Sequence, residues 1–101
     1  MEIREIQKES FKLLEQINKK LNIEHNPDFV FLHLAEEVGE VARELSKKRK
    51  NWREDFDKNK LAEELVDVLM DILIIAEDNN IDLSIEFPKK LNKDKERFKI
   101  K

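Results

Sequence analysis

The stretch KLAEELVDVLMDILIIAED, residues 60–78, decides the fold class, because its apolar residues cover nearly the whole circumference of a helix. A helix that is apolar on almost every side is normally buried on several sides. The acidic residues of this stretch form a narrow strip, and Lys and Arg are scarce along it. The sequence therefore predicts a central helix over residues 58–78 that other helices cover and that also carries carboxylates.

The composition extends this prediction to the whole chain. Charged residues make up 43% of the 101 residues, and there are only one Gly and two Pro. So few turn-forming residues favour long helices joined by short loops over a β-rich domain. We predict an all-α fold, an antiparallel helical bundle of about four helices, as a single domain over residues 1–101.

Two further helices are predicted before the central one. The first covers the first twenty-odd residues, where apolar residues recur at helical spacing, and it ends in a loop at residues 22–27. The second begins with Asp28 as its cap and runs to about Lys50. Residues 51–55 then break the helical pattern.

The C-terminal part of the chain predicts a fourth, shorter helix. It follows Asp82 or Ser84, either of which can cap a helix, and Pro88 indicates its first turn. No linker, low-complexity tract or second domain is indicated.

Several classes of function are disfavoured by the same composition. The formal net charge of -3 gives no reason to expect a nucleic acid or an anionic membrane as a partner. The absence of cysteine excludes disulfides, thiolate metal sites and thiol nucleophiles. With no apolar run of membrane-spanning length, a cytoplasmic protein is expected.

An internal repeat relates the second and third helices. Residues 34–41 match residues 61–68 almost position for position, and the match continues to residues 45 and 72. Acidic residues stand against acidic residues at four positions, which chance produces less easily than a match of common helix formers. The four pairs are Glu36 with Glu63, Glu37 with Glu64, Glu40 with Asp67 and Glu44 with Asp71.

The repeated acids predict a metal site. On the second helix alone they would be read as a solvated charged face. On the apolar third helix, carboxylates are costly unless they are paired or bind a metal. Carboxylate oxygens suit a hard ion such as Mg²⁺, with Mn²⁺ as a possible substitute. A redox di-iron site is disfavoured, because the chain has no Glu-x-x-His pair.

The spacing Glu36-Glu37-x-x-Glu40, followed by Glu64-x-x-Asp67, resembles the MazG-like branch of the all-α nucleoside triphosphate pyrophosphohydrolases. The resemblance implies hydrolysis of a nucleoside triphosphate between its α- and β-phosphates, giving the monophosphate and pyrophosphate. It implies Glu37, Glu40, Glu64 and Asp67 as Mg²⁺ ligands. Glu36 and Glu37 are the catalytic candidates, with Glu36 as a supporting acid, a second-metal ligand or a water-orienting group.

Basic residues are the candidates for binding the substrate. The family tends to carry a Lys, an Asn four residues on and an Arg three further, and this chain has Lys90, Asp94 and Arg97 there, with Lys93 between. The acid at Asp94 departs from that pattern. Lys47 shares the acidic face of the second helix, where it is a further phosphate-binding candidate or a favourable charge at the helix C-terminus.

Two other functions are alternatives to triphosphate hydrolysis, and an oligomer is expected. The same superfamily includes phosphoribosyl-ATP pyrophosphohydrolase, and a non-catalytic helical interaction module is the rival of another class. Preferences for base, sugar, deoxynucleotides or non-standard nucleotides cannot be read from spacing patterns. The apolar third helix needs more cover than three short helices give, so a homodimer or higher homo-oligomer is expected.

Overall fold

A computed structural model describes residues 2–49 and 55–101 of the chain, and the described residues form helices without any strand. The four helices are α1 (Ile3–Leu21), α2 (Pro27–Ser46), α3 (Lys58–Asp78) and α4 (Leu83–Arg97). The all-α prediction and the bounds of the central helix are confirmed. The predicted break at residues 51–55 lies outside the described residues except for Asp55.

The start and end of α2 differ from the prediction. The cap is Asn26, whose side-chain oxygen accepts a hydrogen bond from the Asp28 backbone N–H at 2.9 Å. Pro27 is the first helical residue, a position that tolerates proline because its N–H would have no helical partner. Asp28 therefore lies inside the first turn, and the helix ends at Ser46, several residues before the predicted Lys50.

Asp82 caps α4, as one of the two predicted alternatives, and its side chain accepts a hydrogen bond from the Ser84 backbone N–H. The prediction that Pro88 marks the first turn is wrong. Pro88 lies in the helix interior, where its missing N–H removes one hydrogen bond of the helical ladder.

The central helix α3 packs against both α1 and α2, and α4 packs against α1. Gln7 of α1 fixes the turn between α3 and α4. Its side chain is fully buried, its amide donates to the Ile81 carbonyl at 2.6 Å, and its oxygen accepts from the Leu83 backbone N–H at 3.2 Å. A buried polar side chain with both ends paired stabilises one geometry of the turn.

A small core contrasts with a large exposed apolar surface. Among the described residues, the buried apolar side chains are Val30, Leu73, Ile74 and Ala76. Elsewhere on α3, Leu65, Val66, Leu69 and Ile72 are 41% to 54% exposed. In the single chain α1 and α2 therefore leave part of the apolar surface of α3 exposed, and its burial on several sides stays a prediction that requires a partner subunit. No helix in the described ranges is both long and apolar enough to cross a membrane.

Candidate active site

The acidic faces of α2 and α3 meet in one register. Nδ1 of His33 lies 2.6 Å from Oδ2 of Asp71, and Glu37 interacts electrostatically with Asp67. Towards the C-terminus of α2, Glu44 interacts electrostatically with Lys60, which lies near the start of α3. The helices are thus antiparallel at this interface, and the same register sets Glu40 opposite Glu64.

The four acid pairs of the repeat divide by burial. The residues at the first and third positions, Glu36, Glu63, Glu40 and Asp67, are exposed. The residues at the second position, Glu37 and Glu64, are largely covered, and those at the fourth position, Glu44 and Asp71, are buried. Equivalent positions of the repeat are therefore buried to a similar degree on α2 and α3. The Glu37/Glu64 pair and the Glu44/Asp71 pair differ in their partners.

Glu37 carries an unsatisfied carboxylate oxygen. Its side chain is 12% exposed, with Oε1 3.3 Å from Nε2 of His33. Oε2 is buried and has no hydrogen-bond partner among the described residues. Burial raises the pKa of Glu37 above its usual value, and the nearby charges of Glu40 and Asp67 raise this pKa further. The site therefore favours a cation, since the carboxylate is held in negative surroundings with one oxygen unpaired.

Glu64, the repeat counterpart of Glu37, has the same feature on α3. The residue is 6% exposed, and its Oε2 is also buried without a partner in the described part of the chain. A buried carboxylate oxygen without a donor is costly. That both covered glutamates of the repeat show it supports a shared positive ligand.

The residues fit a hard divalent ion by their chemistry, although they do not form a finished coordination shell. Within residues 2–49 and 55–101, no three acidic or histidine side chains form a group that could hold a metal ion as they stand. The four predicted ligands, which we call the acidic cluster, nevertheless offer carboxylate oxygens alone: Glu37, Glu40, Glu64 and Asp67. Such oxygens are what Mg²⁺ accepts, and glutamate side chains can turn about several bonds to meet an ion.

Glu44 serves the structure of the α2–α3 connection. Its side chain is 1% exposed, accepts a hydrogen bond from the Asp57 backbone N–H at 2.7 Å, and forms an ion pair with Lys47 at 2.9 Å. The bond from the Asp57 backbone and the Lys47 ammonium hold the pKa of Glu44 below its usual value. Asp57 in turn caps α3 by accepting hydrogen bonds from the Asn59 and Lys60 backbone N–H groups.

This arrangement places Lys47, one of the predicted substrate-binding residues, in the interior. Its side chain is 4% exposed and lies against Glu44. A contact with phosphate would require this ion pair to be rearranged. The role predicted for Lys47 stays a prediction.

His33 lies between the two acidic faces, one turn before Glu37 on α2. The hydrogen bond to Asp71 raises the pKa of His33, and the charges of Asp71, Glu37 and Asp67 add to that effect, while partial burial opposes it. The contact with Asp71 was not predicted, because an isolated sequence does not give the register of two helices. The internal repeat was the signal that could have suggested it.

The predicted basic residues of α4 are exposed. Lys90 donates a hydrogen bond to Asp94 at 2.7 Å, and the Arg97 guanidinium lies over the Phe98 ring at 5.2 Å. The helix begins beside Gln7, near the end of α3 where Arg4 pairs with Glu77. Glu64 lies about 20 Å from Glu77 along α3, at about 1.5 Å per residue. The start of α4 is therefore remote from the acidic cluster in the single chain.

A cavity of about 300 Å³ opens beside the acidic cluster. Its walls are mainly apolar and come from α1, the following loop, α2 and α3, and they include Leu14, Ile23, Phe29 and Met70. His33, Asp67 and Asp71 line it as well. A mainly apolar cavity with a few convergent polar groups is the usual form of a small-molecule site.

Two antiparallel helices with repeated, partly covered carboxylates, and a cavity beside them, define an all-α domain suited to a charged small-molecule ligand. The family model described as the MazG nucleotide pyrophosphohydrolase domain matches residues 25–99. The chain belongs to this family, which indicates nucleotide pyrophosphohydrolase activity and a general dependence on a divalent metal. No curated protein and no solved structure gives a significant match.

Proposed function

We propose that this protein hydrolyses nucleoside triphosphates, deoxy- or non-standard ones included, to the monophosphate and pyrophosphate with Mg²⁺. The observation that carries the proposal is the pair of buried oxygens on Glu37 and Glu64 that have no partner among the described residues. These residues are equivalent in the repeat and stand on facing helices. A divalent cation would satisfy both oxygens and would offset the burial and the repulsion that together raise the pKa of Glu37.

Glu37, Glu40, Glu64 and Asp67 would hold the ion. Bound Mg²⁺ would supply charge neutralisation at the phosphates and acidify a bound water. The protein itself orients the carboxylates, and Glu37 and the exposed Glu36 are the candidates for directing an attacking water. Mn²⁺ offers similar ligand preferences and is the expected substitute.

The cavity beside the acidic cluster is our candidate for the nucleoside part of the substrate. Asp67 belongs to both, so a ligand in the cavity would extend its phosphates towards the carboxylates. Apolar walls suit a nucleobase, since such sites cover most of a ligand's surface with apolar side chains and fix it with few polar groups.

Lys93 and Arg97 of α4 are exposed, which suits a role in binding phosphates. Lys90 and Lys47 are also candidates, although each has an acidic partner, Asp94 for the first and Glu44 for the second. Cationic side chains on a substrate triphosphate would add to the neutralisation by the metal.

A homodimer or higher homo-oligomer is proposed as the active form. The exposed apolar side chains of α3 support this, because a contiguous apolar surface of this kind marks an association site. Light scattering at micromolar concentration tests it, and a monomer would contradict it.

Product analysis tests the proposed reaction. The full-length protein is incubated with Mg²⁺ and a panel of ribo-, deoxy- and modified triphosphates, together with phosphoribosyl-ATP. We expect the monophosphate and pyrophosphate from triphosphates. Turnover of phosphoribosyl-ATP alone would favour the related histidine-pathway activity, and no turnover of any member would favour a non-catalytic interaction module.

A further inference from the structure

We propose that His33, anchored by Asp71, is a positioning residue that holds one oxygen of Glu37 and directs the other towards the cation. The inference deepens the proposed function and rests on it. It assigns roles to two residues outside the Glu-Glu-x-x-Glu and Glu-x-x-Asp spacing. It also assigns Glu37 one ligating oxygen, not two.

The two oxygens of Glu37 differ in their surroundings. Oε1 lies 3.3 Å from Nε2 of His33, whereas Oε2 is buried with no partner among the described residues. This ion pair between residues one helical turn apart restricts the rotation of the carboxylate. Its other oxygen is then presented in a fixed direction, which limits Glu37 to single-oxygen ligation.

Asp71 fixes the ring that makes this contact. His33 extends from α2 and is about half exposed, so it would move readily if it had no partner on α3. Nδ1 lies 2.6 Å from Oδ2 of Asp71, whose side chain is 10% exposed. The resulting chain runs from a buried carboxylate on α3, through an imidazole, to a ligand carboxylate on α2. Outer contacts of this kind orient metal ligands, and their loss typically costs about 10- to 100-fold in metal affinity.

The chain contains a matched pair for comparison. Nε2 of His25 lies 3.0 Å from Oδ2 of Asp78, which also connects a histidine near the start of α2 to a carboxylate of α3. Within the described part of the chain, neither residue of this second pair forms a hydrogen bond or ion pair with the acidic cluster. Both lie farther along the α2–α3 pair, beyond His33 and Asp71. A variant that breaks the His25–Asp78 contact therefore shows the effect of losing an interhelical His–Asp contact that does not involve Glu37.

The experiment measures Mn²⁺ binding to the full chain without nucleotide, by the decrease of the electron paramagnetic resonance signal of free Mn²⁺. The variants are His33→Ala, His33→Asn, His33→Gln and Asp71→Ala, with Asp78→Ala as the control. Asparagine can place its amide near the position of Nδ1, and glutamine can place its amide near that of Nε2. Far-UV circular dichroism checks helix content in each variant.

We expect Mn²⁺ affinity to fall about 10- to 100-fold in His33→Ala, His33→Asn and Asp71→Ala. His33→Gln should recover part of the loss, because its amide can still donate to Glu37, and Asp78→Ala should bind like the wild type. Equal or tighter binding by His33→Ala would overturn the inference, and so would an equal loss in Asp78→Ala. If His33→Ala does not fold, the Asn and Gln variants are compared instead. Tighter Mn²⁺ binding by His33→Gln than by His33→Asn supports the inference, and equal binding overturns it. Failure of the wild type to bind Mn²⁺ would instead contradict the proposed metal site.

Discussion

His33 and Asp71 meet across the α2–α3 interface, with Nδ1 2.6 Å from Oδ2, although they are 38 positions apart in the sequence. The contact sets the register in which Glu37 lies near Asp67. It is made by Asp71, the repeat counterpart of Glu44, and both of these acids are buried with partners. Glu44 and Asp71 thus stabilise the arrangement of the helices. Glu37 and Glu64 each keep one oxygen that has no partner in the described ranges.

Gln7 is expected to be a major stabilising residue. Gln7→Ala leaves the Leu83 N–H and the Ile81 carbonyl without their side-chain partner, at about 1–3 kcal/mol for each buried group left unsatisfied. Chemical denaturation should therefore show a free energy of unfolding lower by about 2–6 kcal/mol. Gln16→Ala, on the exposed side of the same helix, is the control and should change little. Equal effects would contradict the role assigned to Gln7.

Glu44 should make the stability of the protein dependent on pH. Its pKa is lower in the folded protein than in the unfolded chain, so its contribution is present at neutral pH. That contribution is lost as the pH falls below the usual glutamate pKa of about 4.3 and through the lowered value. Glu44→Gln should melt several degrees lower at pH 7 and show a smaller deficit near pH 3.

The control for this prediction is Glu63→Gln, which changes an exposed acid of the repeat. Its melting temperature should follow that of the wild type across the same pH range. A deficit in Glu44→Gln that stays constant from pH 7 to pH 3 would mean that the ionised form of Glu44 is not what stabilises the fold.

Gly39 offers a test of close approach at the acidic face. The described residues include nothing within 4 Å of a Cβ built at this position. In a single chain Gly39→Ala should therefore stabilise α2 by about 1 kcal/mol. A higher melting temperature with unchanged turnover would mean that the position is open in the active protein. A lower melting temperature would reveal a second subunit packed against it, and a loss of turnover alone would reveal the substrate there.

Asp94 is expected to weaken phosphate binding by pairing with Lys90 at 2.7 Å. Asp94→Asn removes one negative charge and restores the amide that the family pattern has at this position. If Lys90 contacts the triphosphate, KM should fall by a few-fold while kcat changes little. Lys89→Gln, which changes a neighbouring exposed lysine paired with Glu86, is the matched control. An unchanged KM in Asp94→Asn would remove Lys90 from the binding site.

The sequence predicted the features that depend on local pattern. The bounds of α3 followed from its unbroken helical character, and the acid pairs followed from the repeat. The cap at Asp57 was found only in the structure. The start of α2 was misplaced because Asp28 and Asn26 are both good caps, and Pro27 as the first helical residue decides between them. Pro88 was misplaced because a proline inside a helix is uncommon and costly.

The features that depend on tertiary contact were not predictable in the same way. Glu44 and Glu37 have the same residue type on the same helix face. Glu44 is paired with Lys47, whereas Glu37 has one oxygen without a partner in residues 2–49 and 55–101. This difference follows from the register of α2 against α3 and from the path of the chain at Asp57. The exposure of Leu65 and Leu69 likewise depends on what other surfaces cover α3, which periodicity does not reveal.

We propose that the covered carboxylates of α2 and α3 act together on a metal-bound triphosphate. It is tested most directly by Mg²⁺-dependent pyrophosphate release from Glu37→Gln, Glu64→Gln and the exposed control Glu63→Gln. We expect turnover to fall by at least two orders of magnitude in the first two, with helix content retained, and to persist in Glu63→Gln. Wild-type turnover in Glu37→Gln and Glu64→Gln would contradict the account.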